Sequence, residues 1–337
     1  MRYLRTTVSL GIAIALATVP LASCGDSDSD VAGTAPAATT TAVESTTSAV
    51  PDSTATTSPG TTLPAEPTTV PTTPGTDPPT TVRETDPDVV PPAAGTQLVV
   101  GLLDEADQLN VRVAADPDAD IVARLDPTTV VAATGNADVN DGSIWYEIST
   151  NTTTGATTGW ANSFYLSQQW SATDFAADPR VTNLMQQLFD IFVARGDLRT
   201  VTGRRGLIVS HFDPPRRFKP AELATLLTST TEYGWGSSAC SPEECGTDTF
   251  TEAFADQYIQ AYDDPDRQVV FDEIIGGGNM MINPVPAKFL GVHYAAFFDP
   301  GDDPDFGGLD WSTWYVYIAL EDGEPVIVGL STDEWAP

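Results

Sequence analysis

Acid–base and nucleophilic chemistry has few carriers in this chain, which holds only two histidines and three cysteines. His211 stands in Ser210-His211-Phe212-Asp213 at the end of a strand-like stretch, and His293 in Gly291-Val292-His293-Tyr294 within another. A hydrolase needs a nucleophile, a base and an orienting acid, and Ser210, His293 and Asp310 could supply them. No nucleophile-elbow motif accompanies these residues, and a structural role is the default reading of both histidines. No catalytic residue is assigned on this basis. The acidic stretch Asp299-Pro300-Gly301-Asp302-Asp303-Pro304-Asp305 offers the hard oxygens that calcium takes. It departs from the EF-hand pattern at Pro304 and lacks a ligand at the twelfth position, so a solvated acidic turn is the stronger reading. Neither metal nor cofactor is assigned.

A basic patch stands out on an otherwise acidic chain: Arg199, Arg204, Arg205, Arg216, Arg217 and Lys219. It either pairs with local carboxylates or holds an anionic ligand beside the aromatics Phe212, Phe218, Tyr233 and Trp235. Arg216, Arg217 and Trp235 are therefore candidate ligand-binding residues.

The formal charge is −32 and the pI near 4.1. Such a surface repels nucleic acid phosphates and anionic headgroups, which excludes nucleic acid as an expected partner. A length of 337 residues allows about two domains. The first residues, Met1-Arg2-Tyr3-Leu4-Arg5, are basic, and an apolar run follows from Val8 to Val19 before Pro20. That run is too short for a membrane span of about 20 residues and fits a signal peptide. Leu21-Ala22-Ser23-Cys24 comes next, followed by Gly25 and alternating Asp and Ser. This resembles the lipobox of bacterial lipoproteins. The resemblance implies a signal peptide over 1–23, a lipidated Cys24 and anchoring to the extracytoplasmic face of the cell membrane. In such an exported setting Cys240 and Cys245 read most simply as one disulfide. A metal pair is the alternative, with poor zinc spacing.

Residues 24–95 are rich in Thr, Ser, Pro and Ala with almost no large apolar side chain. A segment of this composition cannot bury enough surface to offset its chain entropy, so a disordered linker is expected.

From Thr96 short apolar stretches alternate with polar turns, and a small all-β barrel is expected over 96–168. Leu109-Asn110-Val111-Arg112, Ile121-Val122-Ala123-Arg124-Leu125, Asp126-Pro127-Thr128-Thr129-Val130-Val131, Trp145-Tyr146-Glu147-Ile148 and Thr158-Gly159-Trp160-Ala161 with Tyr165-Leu166 follow one another in order. These motifs resemble the bacterial SH3-like (SH3b) domain. The family usually continues with Ser-Gly-Pro after the arginine, where this chain has Val113-Ala114-Ala115-Asp116-Pro117. The resemblance implies a non-catalytic module that attaches to peptidoglycan or to another protein. Trp145, Trp160 and Tyr165 are candidate ligand-binding aromatics, with a place in the barrel core as the competing reading for the two tryptophans.

The remainder, 169–337, reads as an α+β domain. Apolar residues three or four apart predict a helix over Pro179–Ala194, with Asp178 as N-cap and Gly196 as its stop. Shorter helices are predicted over Lys219–Leu227 and Thr249–Tyr262, and strands over Gly206–Val209, Val269–Ile275, Phe289–Phe298, Thr313–Glu321 and Pro325–Leu330. The element order is similar to the NTF2-like fold. Phe306-Gly307-Gly308-Leu309-Asp310-Trp311 with Asp333-Glu334-Trp335 resembles the C-terminal domain of actinobacterial lipoproteins of unknown activity. The expected fold class is thus multidomain, a small SH3-like barrel followed by an α+β, NTF2-like domain. The expected function is a non-enzymatic envelope lipoprotein with a wall- or protein-binding module and a ligand-binding C-terminal domain. The alternative is an envelope hydrolase with its site in the α+β domain.

Overall fold

Hydrophobic periodicity accounts for most elements of the computed structural model, which describes residues 89–152, 155–210, 215–235, 247–276, 284–301, 307 and 309–334. Seven strands come first: β1 (Gln97–Val100), β2 (Leu109–Arg112), β3 (Ile121–Leu125), β4 (Val130–Asn140), β5 (Ser143–Thr152), β6 (Gly155–Asn162) and β7 (Leu166–Gln168). Alternate side chains such as Leu98, Val100, Val111, Tyr146, Ile148 and Ala161 enclose one core. The stretch Gly135–Asp138, which reads as a turn in sequence, is carried through β4 as a bulge, with Gly135 at φ +96°.

Two helices follow, α1 (Ala172–Ala177) and α2 (Pro179–Ala194). The Asp178 carboxylate caps α2 by accepting from the Arg180 backbone N–H, and Pro179 occupies the first turn. Arg195 takes the left-handed cap conformation, and the Gly196 N–H donates to the Ile191 carbonyl. Val181, Leu184, Met185, Leu188 and Phe192 are buried along one stripe; each such side chain contributes about 1.5–3 kcal/mol relative to exposure. Beyond lie β8 (Leu207–Ser210), β9 (Arg216–Phe218), α3 (Pro220–Leu223), β10 (Glu232–Tyr233), β11 (Asp248–Thr249), a wide helical turn at Thr251–Ala255 and α4 (Asp256–Asp263). The chain ends in β12 (Gln268–Phe271), β13 (His293–Asp299), β14 (Ser312–Glu321) and β15 (Glu324–Glu334). Asp322 and Gly323, both at positive φ, turn β14 into β15, as the Asp-Gly signal requires.

The expectation of a small SH3-like barrel followed by an α+β, NTF2-like domain is overturned by the sheet itself. Among the described residues, thirteen strands form one mixed sheet in the order β3-β2-β6-β5-β4-β1-β7-β14-β15-β8-β9, with β13 also on β14 and β12 beyond it. Helices are few, and β15 runs parallel to β8. The physical reason lies in β14. Trp314, Val316 and Ile318 join a core under α2 and α4, whereas Tyr315, Tyr317 and Ala319 join a second core on the opposite face. A strand apolar on both faces needs cover on both. Phe289 stacks on Tyr317, Leu102 is buried in that second core, and Phe164 and Tyr165 pack against it, so the segment before β13 and the turns flanking the N-terminal strands supply the missing cover. Backbones approach closely at this junction: a Cβ on Gly291 would strike the Val100 carbonyl oxygen.

A buried ion pair closes the seam where β7 meets β14, at Gln168 opposite Leu320. Arg205, 2 % exposed, brings Nε to 2.9 Å from Oε1 of Glu321, itself 7 % exposed. The contact is a close charge pair and not an aligned hydrogen bond, since neither atom meets hydrogen-bond geometry. Direction comes from other atoms. Arg205 Nη1 donates to Ser167 Oγ at 2.7 Å and Nη2 to the Leu166 carbonyl at 2.5 Å, while Glu321 Oε2 accepts from the Arg204 backbone N–H at 3.0 Å. Arg205→Leu leaves the Glu321 carboxylate buried and uncompensated, and should lower unfolding free energy by about 3–5 kcal/mol. Arg205→Leu with Glu321→Leu should recover most of that loss, as read by urea denaturation of the two variants.

Candidate functional site

Two hollows lie side by side at this seam and share Ser143, Asn162 and Tyr165. The first, about 360 Å³, is walled by Arg204, Arg205, Arg217 and Phe164. The second, about 250 Å³, is walled by Asp107, Arg112, Pro117, Asp141 and Trp145. Local folding sets each wall. The Asp141-Gly142 turn, both residues at positive φ, joins β4 to β5 and places Ser143 between the hollows. Asn162 accepts from the Phe164 N–H and starts the single 3₁₀ turn that presents Phe164 and Tyr165. The loop 113–120 is held over the second hollow by Asn140 Nδ2 donating to the Ala115 carbonyl and Arg112 Nη1 donating to the Ala119 carbonyl.

The arginines of the first hollow are committed unequally. Arg205 belongs to the buried pair. Arg204 donates to Tyr146 Oη at 2.8 Å and to Asp322 at 3.1 Å. Among the described residues Arg217 donates only its Nε, to the Arg205 carbonyl at 3.1 Å, and lays its guanidinium over the Phe164 ring at 4.3 Å. Among the described residues no carboxylate pairs with it. In the second hollow Trp145 is 5 % exposed, and its buried indole N–H has no acceptor among the described residues. Tyr165 stands between the two: burial pushes its hydroxyl pKa up, Asp104 and Asp107 push it further, and Arg217 opposes them.

Of the candidate ligand-binding residues, Trp145, Tyr165 and Arg217 are brought together here. Arg216 is not, because successive side chains on β9 point to opposite faces. It lies instead over Tyr233 at 4.7 Å and Trp235 at 5.7 Å, beside the Phe218 ring. Trp160 faces Arg112 and Glu147 across its neighbouring strands and lines neither hollow. Sequence reasoning missed Phe164, Asn162, Asp107 and Asp141; the Asp-Gly turn and the aromatic pair before β7 were the available signals. Cys24, Cys240, Cys245, His211 and most of the acidic stretch 299–305 lie outside the described residues. Among the described residues no group of three or more His, Cys, Asp or Glu is arranged to hold a metal ion.

Ser210, His293 and Asp310 are not assembled. Counting through the register Ser210–Ser331–Tyr315–Ala296, Ser210 is three strands and three residues from His293, about 17 Å. His293 is engaged elsewhere. Its Nδ1 is 2.6 Å from Asp272 Oδ2, its Nε2 is 2.9 Å from the Trp170 carbonyl, and its ring stacks on Phe175. Two acceptors facing both nitrogens are satisfied together only by the imidazolium. Burial pulls the His293 pKa down, but the hydrogen bond and charge of Asp272 with the Trp170 carbonyl outweigh it, and the net shift is upward.

A raised folded pKa gives a contribution complete below the unfolded value of about 6.5, which is lost as pH rises through the folded value. The thermal midpoint of the wild-type chain should therefore fall relative to that of His293→Phe as pH is raised from about 6 to 8. An NMR titration of the His293 ring should place its pKa above that of a free imidazole. Comparison with known proteins adds no relative: no protein-family model, curated protein or solved structure matches the chain.

Proposed function

We propose that this chain is a cell-envelope lipoprotein, held at the outer face of the cell membrane by lipid on Cys24, whose described region binds an envelope ligand without catalysing a reaction. Residues 24–95 serve as the spacer between the anchor and that region. The ligand is peptidoglycan or an envelope protein, bound at the paired hollows beside Tyr165. The observation that carries the binding part is Arg217, a cation without a carboxylate partner among the described residues, held against Phe164 at the mouth of a hollow on a chain of net charge −32. On so acidic a surface an uncommitted arginine would be expected to find a local carboxylate, so its orientation by the Arg205 carbonyl and the Phe164 ring favours a ligand-facing role. The lipobox-like Leu21-Ala22-Ser23-Cys24 after a short apolar run supports the anchoring part.

The test is co-sedimentation of the detergent-solubilised full-length chain with purified peptidoglycan sacculi. The wild type should be retained, and Arg217→Ala should weaken retention about tenfold, as expected for one charged hydrogen-bonding group. No retention of the wild type would overturn the wall-ligand reading and turn the search to proteins captured at the same residues. Cys24→Ala should shift the protein out of the membrane fraction and abolish labelling by a palmitate analogue; unchanged fractionation would end the anchoring claim.

A further inference from the structure

The geometry points to a short peptide with both termini free as the ligand class of the paired hollows, its carboxylate beside Arg217 and its ammonium beside Asp107 and Asp141. This rests on the binding reading above and narrows it. The two hollows share Ser143, Asn162 and Tyr165, yet their walls differ in charge. On one side Arg217 is the cation left uncommitted among the described residues, since Arg204 is paired with Asp322 and Arg205 with Glu321. Its planar fork matches a carboxylate, and the Phe164 ring holds that plane in place. On the other side Asp141 projects from a tight turn. Asp107 spends one carboxylate oxygen on the Gln108 N–H and keeps the other. Arg112, the cation of that hollow, donates to the Ala119 carbonyl at 2.6 Å.

The spacing suits a short chain. Arg217 lines one hollow and Asp107 and Asp141 the other, and Ser143, Asn162 and Tyr165 line both, so the two poles stand on either side of one set of shared residues. Three extended residues span about 10 Å. Trp145 lines the second hollow, but its indole N–H is buried away from the open space and offers the ligand no hydrogen bond. The contacts needed are a terminal carboxylate and a terminal ammonium, both main-chain groups. Recognition is therefore of the backbone and its ends, not of particular side chains.

Trialanine is accordingly a sufficient probe. Isothermal titration of the full-length chain should show trialanine binding, with N-acetyl-trialanine and trialanine amide each weaker by about tenfold. In Arg217→Ala the penalty for amidation should vanish while that for acetylation remains. In Asp107→Asn with Asp141→Asn the reverse should hold. The ligand-side comparison uses the wild-type protein, so a variant that folds poorly does not remove the test. Capped and uncapped peptides binding within twofold of each other, or no binding by trialanine, would overturn the proposal. Persistence of both penalties in folded variants would do the same. Retention on sacculi is read separately, and its survival in any of these cases leaves the wall-binding reading standing.

Discussion

The Arg205–Glu321 pair is the contact on which the arrangement of this molecule turns. An ion pair of this burial gains little net free energy over a well-packed apolar pair, because desolvation offsets most of the attraction. Its value is directional. Arg205 reaches Ser167 and the Leu166 carbonyl in the N-terminal strands, while Glu321 ends β14 and accepts from the Arg204 backbone. These contacts hold β7 alongside β14, and that alignment brings the 3₁₀ turn at Phe164 and Tyr165 against β9. Gly203 fits the same constraint, since a Cβ there would collide with the Glu321 carboxylate.

The site inherits its position from this seam. The walls of the first hollow come from the β4–β5 turn, the segment before β7, the 203–206 turn and β9, four stretches far apart in sequence. Each wall is rigid for a different reason: a two-residue turn at positive φ, an Asn162 cap, a buried salt bridge and a strand edge. A binding surface built from such elements needs little ordering when a ligand arrives, which lowers the entropic cost of association. In the proposed setting, the lipid on Cys24 confines this surface to a layer beside the membrane and raises its effective concentration there.

The site was legible in part. Trp145, Tyr165 and Arg217 were identifiable as aromatics and a cation on an acidic chain, yet nothing local distinguishes Arg217 from Arg216. Their separation is a property of β9 as a strand, which sends Arg217 toward Phe164 and Arg216 toward Tyr233 and Trp235. The trio Ser210, His293 and Asp310 shows the opposite case. Residue types alone allowed it, whereas strand register separates Ser210 from His293 and gives the imidazole to Asp272 and Trp170 instead.

By itself the sequence determined what depends on neighbours along the chain. The α2 helix begins at Asp178 and Pro179 because a carboxylate cap and a proline suit a first turn, and the Asp322-Gly323 turn forms because both residues tolerate positive φ. Tertiary structure decided how the halves combine. The run Thr313 to Ala319 is apolar on both faces, which in a single sequence reads equally as one buried strand or as ordinary half-buried sheet. Only when Trp314, Val316 and Ile318 meet the helices, and Tyr315, Tyr317 and Ala319 meet the layer containing Leu102 and Phe289, does the two-sided cover appear. Local propensity carries no information about which distant surface will cover a face, and that choice made, among the described residues, one thirteen-stranded sheet out of what read as two folds.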